Sequence, residues 1–560
     1  MVDVDKKLAD GQEQLRPNIV LILADDLGYS DIGCYGSEIE TPNIDRLGYD
    51  GIRLSQMYNS AKCCPSRASL LTGLYPHQAG IGHMVQNLNI PAYQGFLNNE
   101  SVTIAEALKQ AGYNAYMSGK WHVGGNYERP RSEWAPGSHG YPLPMQRGFD
   151  DFFGTLTGAG SYFAPSTLMR GTTFVDAGDD PTWYYTDAIA NEALRMITPS
   201  LADGSPFFLY LAFTAPHWPL QALPREIDKY RERYRPGWDT LRGERWERLH
   251  DYGLVSEQWR MSARDPDAWP WIETNSKDWE TTRMAVYAAQ VDRMDQAIGR
   301  VTEAIENAGA LENTLIIFLS DNGGSAAFLK EDMYPDYVWP PSVPRQTRDG
   351  RSVHVGNTQQ IIPGTEDTYA SYDVCWANLS NTPFRKFKRW VHEGGIATPF
   401  IIHWPARQSW KGIVDGPAHI VDVLPTCLEA ANAAYPSEID GRATLPLQGE
   451  SLMSCLESRN WRRAAPIYFE HEGNRAVRVN DWKLVSAGLG DWELYDMQGD
   501  RTELQNLATK NKTATSSLMR EWFRWAQATG VEPDLFVDSS LADSGFVLIG
   551  PAAKHRFMGN

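Results

Sequence analysis

Short, unbroken runs of apolar residues punctuate the chain: "NIVLILADD", "YNAYMSGKWH", "PFFLYLAFTAPHWP", "NTLIIFLSDNGG" and "TPFIIHWP". Runs of this length without polar alternation predict strands buried on both faces. The first four end in clusters of polar and titratable residues. Between the strands the apolar period changes. From Thr281 to Ala308, Met284, Tyr287, Val291, Met294, Ile298, Val301 and Ile305 recur at spacings of three and four, which predicts a helix that Gly309 ends. "ESVTIAEALKQAGY" predicts another, capped by Ser101 and stopped by Gly112. Strands alternating with helices predict an α/β fold, a large mixed and mostly parallel sheet flanked by helices, whose ligands bind beyond the carboxyl ends of the strands. That is where Asp25, Asp26, Lys120, His122, His217, Asp321 and Asn322 fall. After Pro405 the pattern shifts again, and "NRAVRVNDWKLVSAGLGDWELYDMQGD" alternates like antiparallel strands joined by Gly- and Asp-containing turns. We therefore expect a main α/β domain over 1–429 and a smaller carboxyl-terminal α+β domain with an antiparallel sheet, plus a tail, over 430–560. The segments 222–280 and 325–385 carry no clear period and read as long loops that shape a pocket.

Composition narrows the partners. The 560 residues carry 52 basic against 70 acidic side chains, a formal balance of −18, which excludes a nucleic-acid coat or an anionic membrane as the main partner. Any anion must be drawn by a local site. The start of the chain, "MVDVDKKLADGQEQLRPN", has no apolar stretch of the kind a signal peptide needs, and the longest apolar runs are too short to span a bilayer, so the expectation is a cytoplasmic protein. Six cysteines, Cys34, Cys63, Cys64, Cys375, Cys427 and Cys455, are too dispersed for a disulfide framework and show no zinc-ligand spacing.

Only the adjacent pair stands out. "CCPSRASLLTG" reads as a helix start, because Pro65 suits a first turn whose amides have no intrahelical partner, and an anion or nucleophile is favoured at that positive end. Two buried thiols on an ordinary helix is the plain alternative. Asp25 with Asp26, and Asp321 with Asn322, serve equally as turn residues or as oxygen ligands for a hard cation. Lys120 and His122 sit two apart on an extended segment and so point the same way, or are an exposed lysine beside a core histidine. His217 after Pro216, and Lys388 within the basic run "RKFKR", could equally decorate the surface.

The pattern Cys-x-Pro-Ser-Arg-x-x-x-Leu-Thr-Gly resembles that of the sulfatases of the alkaline-phosphatase superfamily, in particular the bacterial arylsulfatases. "PNIVLILADDLGYSD", "TPNIDRL", "GKWHVG", "APHWPLQ", "LSDNGG" and "KRWVHEGGIATPF" follow in the family's order, and "DWKLV" with "WELYDMQGDRTELQNLA" resembles its small second domain. The resemblance implies that Cys63, by register with Pro65, Ser66 and Arg67, is oxidised to formylglycine by a transient partner, a formylglycine-generating enzyme. Cys64 stands where the family more often has Ser, Thr or Ala. It implies a cation, calcium ahead of magnesium, on Asp25, Asp26, Asp321, Asn322 and the formylglycine oxygen, and substrate-contacting roles for Arg67, Lys120, His122, His217 and Lys388. Lys388, five residues before Glu393, fits the family's spacing, and Lys386 does not.

The activity so implied is hydrolysis of a small-molecule sulfate monoester, most simply an aryl sulfate. An aldehyde hydrates to a gem-diol, one hydroxyl attacks sulfur with Asp321 as base, and the other is deprotonated by His122 so that sulfate leaves by C–O cleavage. The same machinery suits phosphorus, so a phosphonate monoester hydrolase or phosphodiesterase is the rival reading. "SDNGG", however, offers Asp-Asn where those relatives usually carry Asp-His. A non-catalytic anion-binding protein is disfavoured by the intact segment from Cys63 to Gly73, and a homo-oligomer is left open.

Overall fold

In the computed structural model, which describes residues 16–331, 339–488, 490–532 and 535, a ten-stranded sheet runs through the centre of the main domain. Numbering the strands of the two principal sheets in chain order, it comprises β1 (Asn18–Ala24), β2 (Ile52–Leu54), β3 (Asn114–Gly119), β4 (Asp151–Thr155), β5 (Leu168–Arg170), β6 (Thr173–Phe174), β7 (Phe207–Ala212), β8 (Thr314–Ser320), β9 (Phe400–His403) and β10 (Gly412–Val414). Their order across the sheet is β10-β2-β9-β8-β1-β7-β3-β4-β5-β6. The central strands β8, β1, β7, β3 and β4 run parallel. Antiparallel pairs flank them, β9 against β8 and β2 on one side, β5 against β4 on the other.

The apolar runs lack alternation because both faces are covered. Along β1, Val20, Ile22 and Ala24 enter one core, and Ile19, Leu21 and Leu23 enter the other. The main helices are α1 (Pro42–Asp50), α2 (Cys63–Thr72), α3 (Ile104–Gln110), α4 (Tyr185–Asp203), α5 (Pro224–Tyr230), α6 (Gly237–Asp251), α7 (Lys277–Asn307), α8 (Asp373–Ser380), α9 (Val423–Ala430) and α10 (Lys512–Thr529). Residues of α1, α4 and α7 pack into the first core, and those of α2, α3 and α9 into the second.

Several local expectations are corrected. α7 begins at Lys277, a turn before Thr281, and runs to Asn307, with Ala308 at its cap and Gly309, at φ +70°, ending it as expected. α3 is capped by Thr103, not Ser101: Thr103 Oγ1 accepts from the Glu106 amide while Glu106 reaches back to the Thr103 amide, a complete capping box. Its far end is as expected: the helix runs to Gln110, Ala111 is its cap, and Gly112, at φ +82°, stops it. The segment 222–280 is not a loop throughout, since α5 and α6 lie in it, and the described part of 325–385 contains α8. Helical periodicity was hidden there by Trp and Arg residues whose stems and rings pack while their polar atoms reach out.

The carboxyl-terminal sheet is antiparallel, β11 (Ile467–His471), β12 (Asn474–Val479), β13 (Trp482–Ser486) and β14 (Glu493–Asp496), and α10 lies on it through Trp522 and Trp525. Among the described residues no helix is long and apolar enough to cross a membrane. Most of the amino-terminal stretch read for a signal peptide lies outside the described residues.

Candidate active site

Four neighbouring parallel strands end on the same edge, and the residues just beyond them meet. Asp25 follows β1, Asp321 follows β8, Lys120 follows β3, and His217 stands five residues past β7. Backbone bonds bind these ends together: the Asp25 amide donates to Ala215 O (3.0 Å), Asp321 to Ala24 O (3.2 Å) and Lys120 to Ala212 O (2.8 Å). The sequence places these residues; the parallel register makes them converge.

Cys63 opens α2 at the base of a cavity of about 360 Å³ that its side chain helps to line. All ten residues of α2 are buried, and Lys62 at the cap offers no side-chain acceptor, so the helix presents its positive end unmodified. The thiol lies 3.5 Å from Asp25 Oδ1 and 3.9 Å from Asp26 Oδ1, and Lys388 Nζ approaches it to 3.1 Å. Burial pushes this thiol well above its ordinary range, although Lys120 and Lys388 oppose the shift. As a thiol, residue 63 is therefore a poor nucleophile.

Three carboxylates and three cations surround it. Lys120 Nζ donates to Asp25 Oδ2 at 2.5 Å, and Lys388 Nζ to Asp26 Oδ1 at 2.6 Å. Arg67, with no exposed surface, grips Asp321 Oδ2 through Nε (3.0 Å) and Nη2 (2.9 Å) and donates through Nη1 to the Lys120 carbonyl (3.0 Å). Burial resists ionisation of Asp25 and Asp26, but Lys120 and His217 for the first, and Lys388 and His217 for the second, outweigh it and hold both below the usual carboxylate range. Asp321 moves the other way, to about 7, because burial and the charge of Asp25 outweigh Arg67 and Lys120.

Residue types suit a hard cation at this centre. Asp26 Oδ2 and Asn322 Oδ1 are buried oxygens that accept no hydrogen bond among the described residues, and Asn322 Nδ2 donates to Asp26 Oδ1 at 2.7 Å. One ligand atom each from Asp25, Asp26, Cys63 and His217 lies within 4.8 Å of the others. Asp26, with φ of +62°, adopts a left-handed conformation that turns the chain after Asp25 and lets both carboxylates face one point.

Lys120 and His122 both reach the site, but not as expected. β3 ends at Gly119, and Lys120 to His122 are irregular backbone, with His122 at φ +52°, so they do not share the face of a strand. Lys120 bonds Asp25, whereas His122 Nε2 stands 3.1 Å from Cys64 Sγ. Cys64 is thus the neighbour that seats His122. Burial and Lys120 lower His122 far below its usual range, and burial lowers His217 to about 4 against the pull of Asp26, so both rings are neutral near pH 7. His217 directs Nδ1 to Trp218 O (2.6 Å) and Nε2 toward Asp26 Oδ2 (3.5 Å).

Residues not anticipated from the sequence complete the walls: Trp218, Tyr369, Glu128, His83 and Glu472. Trp218 lies against His217 with ring centroids 4.6 Å apart. The alternating segment read from the sequence begins at Asn474 and stops short of His471 and Glu472, and nothing in its spacing points to this cavity.

Comparison with known proteins agrees with this geometry. The sulfatase family profile matches residues 17–433, and the profile described as "N-sulphoglucosamine sulphohydrolase, C-terminal" matches residues 384–524. The chain is 32% identical to an uncharacterized sulfatase of Schizosaccharomyces pombe, over 94% of this chain and 96% of that one. It is 31% identical to an arylsulfatase of Klebsiella aerogenes, over 82% of this chain and 96% of that one. Among solved structures, that of Ps i-CgsB superposes with a TM-score of 0.65 at 25% identity, covering 94% of this chain and 96% of that one. With a match over most of its length and the charged centre at the carboxyl edge of a mostly parallel sheet, this chain belongs to the sulfatase family, within the alkaline-phosphatase-like superfamily.

Proposed function

We propose that this sulfatase hydrolyses aryl sulfate monoesters, with residue 63 acting as formylglycine and a calcium ion held by Asp25, Asp26, Asp321 and Asn322. The observation that carries the reading is the setting of Cys63: a thiol kept protonated by burial, ringed by Arg67, Lys120 and Lys388, at the floor of a cavity far larger than a sulfate group. A cysteine nucleophile needs a lowered pKa, and this one has the reverse. Trp218, Tyr369 and Tyr127 supply flat apolar walls that suit an aromatic alcohol. Maturation by a formylglycine-generating enzyme is part of the proposal.

Formylglycine supplies a hydrated aldehyde whose two hydroxyls serve attack and release, and the cation supplies positive charge beside them. The chain's own residues do the rest. Asp321 receives the proton of the attacking hydroxyl. Lys120, Lys388 and Arg67 face the charge that develops on the sulfate oxygens. Lys388 stays charged because the carboxylates beside it, Asp26 first and then Asp25, outweigh the burial that opposes it. Lys388, which stays charged, or His217, whose Nε2 faces the cavity and must first take up a proton because Nδ1 is committed to the Trp218 carbonyl, assists the leaving alcohol. His122 accepts the proton of the second hydroxyl.

The test is kcat/KM for matched aryl sulfate and aryl phosphonate monoesters on calcium-loaded enzyme, with Cys63→Ala as control and peptide mass analysis of residue 63. Sulfate preference that disappears in Cys63→Ala supports the reading. Preference for the phosphonate transfers it to the rival hydrolase, and an unconverted, inactive residue 63 points to an anion-binding protein.

A further inference from the structure

Beside the catalytic centre, a second cluster of buried ligand-type side chains lies in the wall of the same cavity. His83 and Glu472 line the cavity, and His471 stands behind them. Glu472 and Gly473 form the tip of the β11–β12 hairpin, both with positive φ (+50° and +80°), the two-residue turn whose twist matches its strands. This turn pushes the Glu472 carboxylate toward His83, which comes from the segment after α2.

The spacing within the cluster is specific. His83 Nδ1 lies 3.6 Å, and His471 Nε2 3.5 Å, from the same oxygen, Glu472 Oε1. Both separations are long for hydrogen bonds. They match the edge of a coordination tetrahedron: with ligand bonds of about 2.0–2.2 Å, neighbouring ligand atoms stand about 3.3–3.6 Å apart. One ligand atom from each of the three residues lies within 4.8 Å of the other two. His471 supplies an independent observation. Its ring is fully buried, yet among the described residues Nδ1 has no hydrogen-bond partner and Nε2 has only the long approach to Glu472 Oε1. A buried polar group left this way costs roughly 1–3 kcal/mol unless a ligand satisfies it.

We propose that His83, His471 and Glu472 bind a borderline divalent transition cation of the zinc type, with the fourth position open to the catalytic cavity. Two imidazoles and one carboxylate oxygen suit such an ion, and the open position would take a water or a donor atom from the organic part of the ester. A hard cation is disfavoured. Arg389 pairs with Glu472 Oε2 and already offsets its charge, so calcium would gain little, whereas imidazole nitrogens select softer ions. Arg389 also holds the carboxylate so that Oε1 faces the two rings. The positive charge of Lys62, which is felt at both His83 and Glu472, limits affinity and leaves the site dependent on its nitrogen ligands.

The site does not rest on the sulfatase chemistry, and its test reads metal rather than turnover. Calcium-saturated full-length enzyme is titrated with Co2+, followed by visible absorption and by metal analysis after gel filtration. One added equivalent of Co2+ with the intense bands of a four-coordinate ion is expected, present in wild type and in Cys63→Ala, and lost in His471→Gln and in His83→Gln. The two variants alter different segments, and each is checked for folding by circular dichroism. The proposal is overturned if calcium-saturated wild type binds no further Co2+, or shows only the weak bands of an octahedral ion. It is equally overturned if a folded His471→Gln keeps the equivalent, or if Cys63→Ala loses it, since the ion would then belong to the catalytic centre.

Discussion

His217 shows how one ring is set for its task by two neighbours. The Trp218 carbonyl accepts a hydrogen bond from its Nδ1, and Nε2 is left facing the cavity and Asp26. If it hands a proton to the departing alcohol, poor leaving groups need it most. His217→Ala should lower kcat/KM by about 10²–10⁴-fold for alkyl or weakly acidic phenyl sulfates and by less for nitrophenyl sulfates. A loss independent of leaving-group pKa across such a series would remove that role. Asp321 makes a second prediction through linkage. Without a cation its carboxyl is raised to about 7, chiefly by burial and by Asp25, so below that pH it holds a proton that a cation must displace. Calcium affinity measured by calorimetry should therefore weaken as pH falls through 7, with release of a proton on binding. Chelation should abolish activity and calcium should restore it.

At the scale of elements, the strand ends matter more than the strands. Gly119 closes β3 at φ +120°, and a Cβ there would lie 1.8 Å from Ala212 O on β7. Gly323, just past Asn322, would place a Cβ 2.0 Å from Gly394 O. Neither clash can be relieved by a rotamer, because both partners are backbone. Gly119→Ala should force β3 from β7 and shift Lys120, whose amide bonds Ala212 O. A displacement of about 1 Å at a positioned group costs about 10²-fold in rate, so kcat should fall by that order while soluble protein is still recovered. Unchanged kinetics with a lowered melting temperature would show that Lys120 does not depend on this close approach. The strands, β1, β3, β7, β8 and β9, were legible because apolar runs covered on both faces have no other home. α5 and α6 were not, since their buried positions include Glu226 in the first and Arg242 and Arg245 in the second, which read as polar until their partners are known.

The two parts of the molecule are joined through a buried charge. Glu393 Oε1 accepts from Lys483 Nζ at 2.8 Å and Oε2 from Arg501 Nε at 2.7 Å, and the Tyr58 hydroxyl donates to Oε2 at 2.9 Å. Burial opposes its ionisation, but Lys483, Arg501 and Arg478 prevail and hold the carboxyl at about 2. A carboxyl so depressed contributes stability above its unfolded value of about 4.5 and loses it as pH falls toward 2. Glu393→Gln removes the carboxylate that pairs with Lys483 and Arg501, of which Lys483 keeps Glu503, and should cost about 3–5 kcal/mol at neutral pH. Denaturant midpoints of wild type and variant should differ at pH 7 and converge as pH is lowered from about 5 toward 2. A constant difference across that range would show that the carboxylate charge is not what joins the two parts.

The sequence by itself determined the layered α/β class, the antiparallel carboxyl-terminal sheet, and the segment "CCPSRASLLTG" with the Asp25–Asp26 and Asp321–Asn322 pairs that follow β1 and β8. These are written in local spacing, where a run, a turn or a motif carries its own physical reason. Tertiary structure alone decided which side chains meet. Strand order β8-β1-β7-β3 brings Asp321, Asp25, His217 and Lys120 to one edge although they are far apart in the chain. Packing seats His122 against Cys64, ties Asp321 to Arg67, and carries the tip of a distant hairpin, with His471 and Glu472, to His83 at the cavity wall. Contacts of that kind depend on strand order and on burial, and neither is a property of any stretch of sequence taken alone.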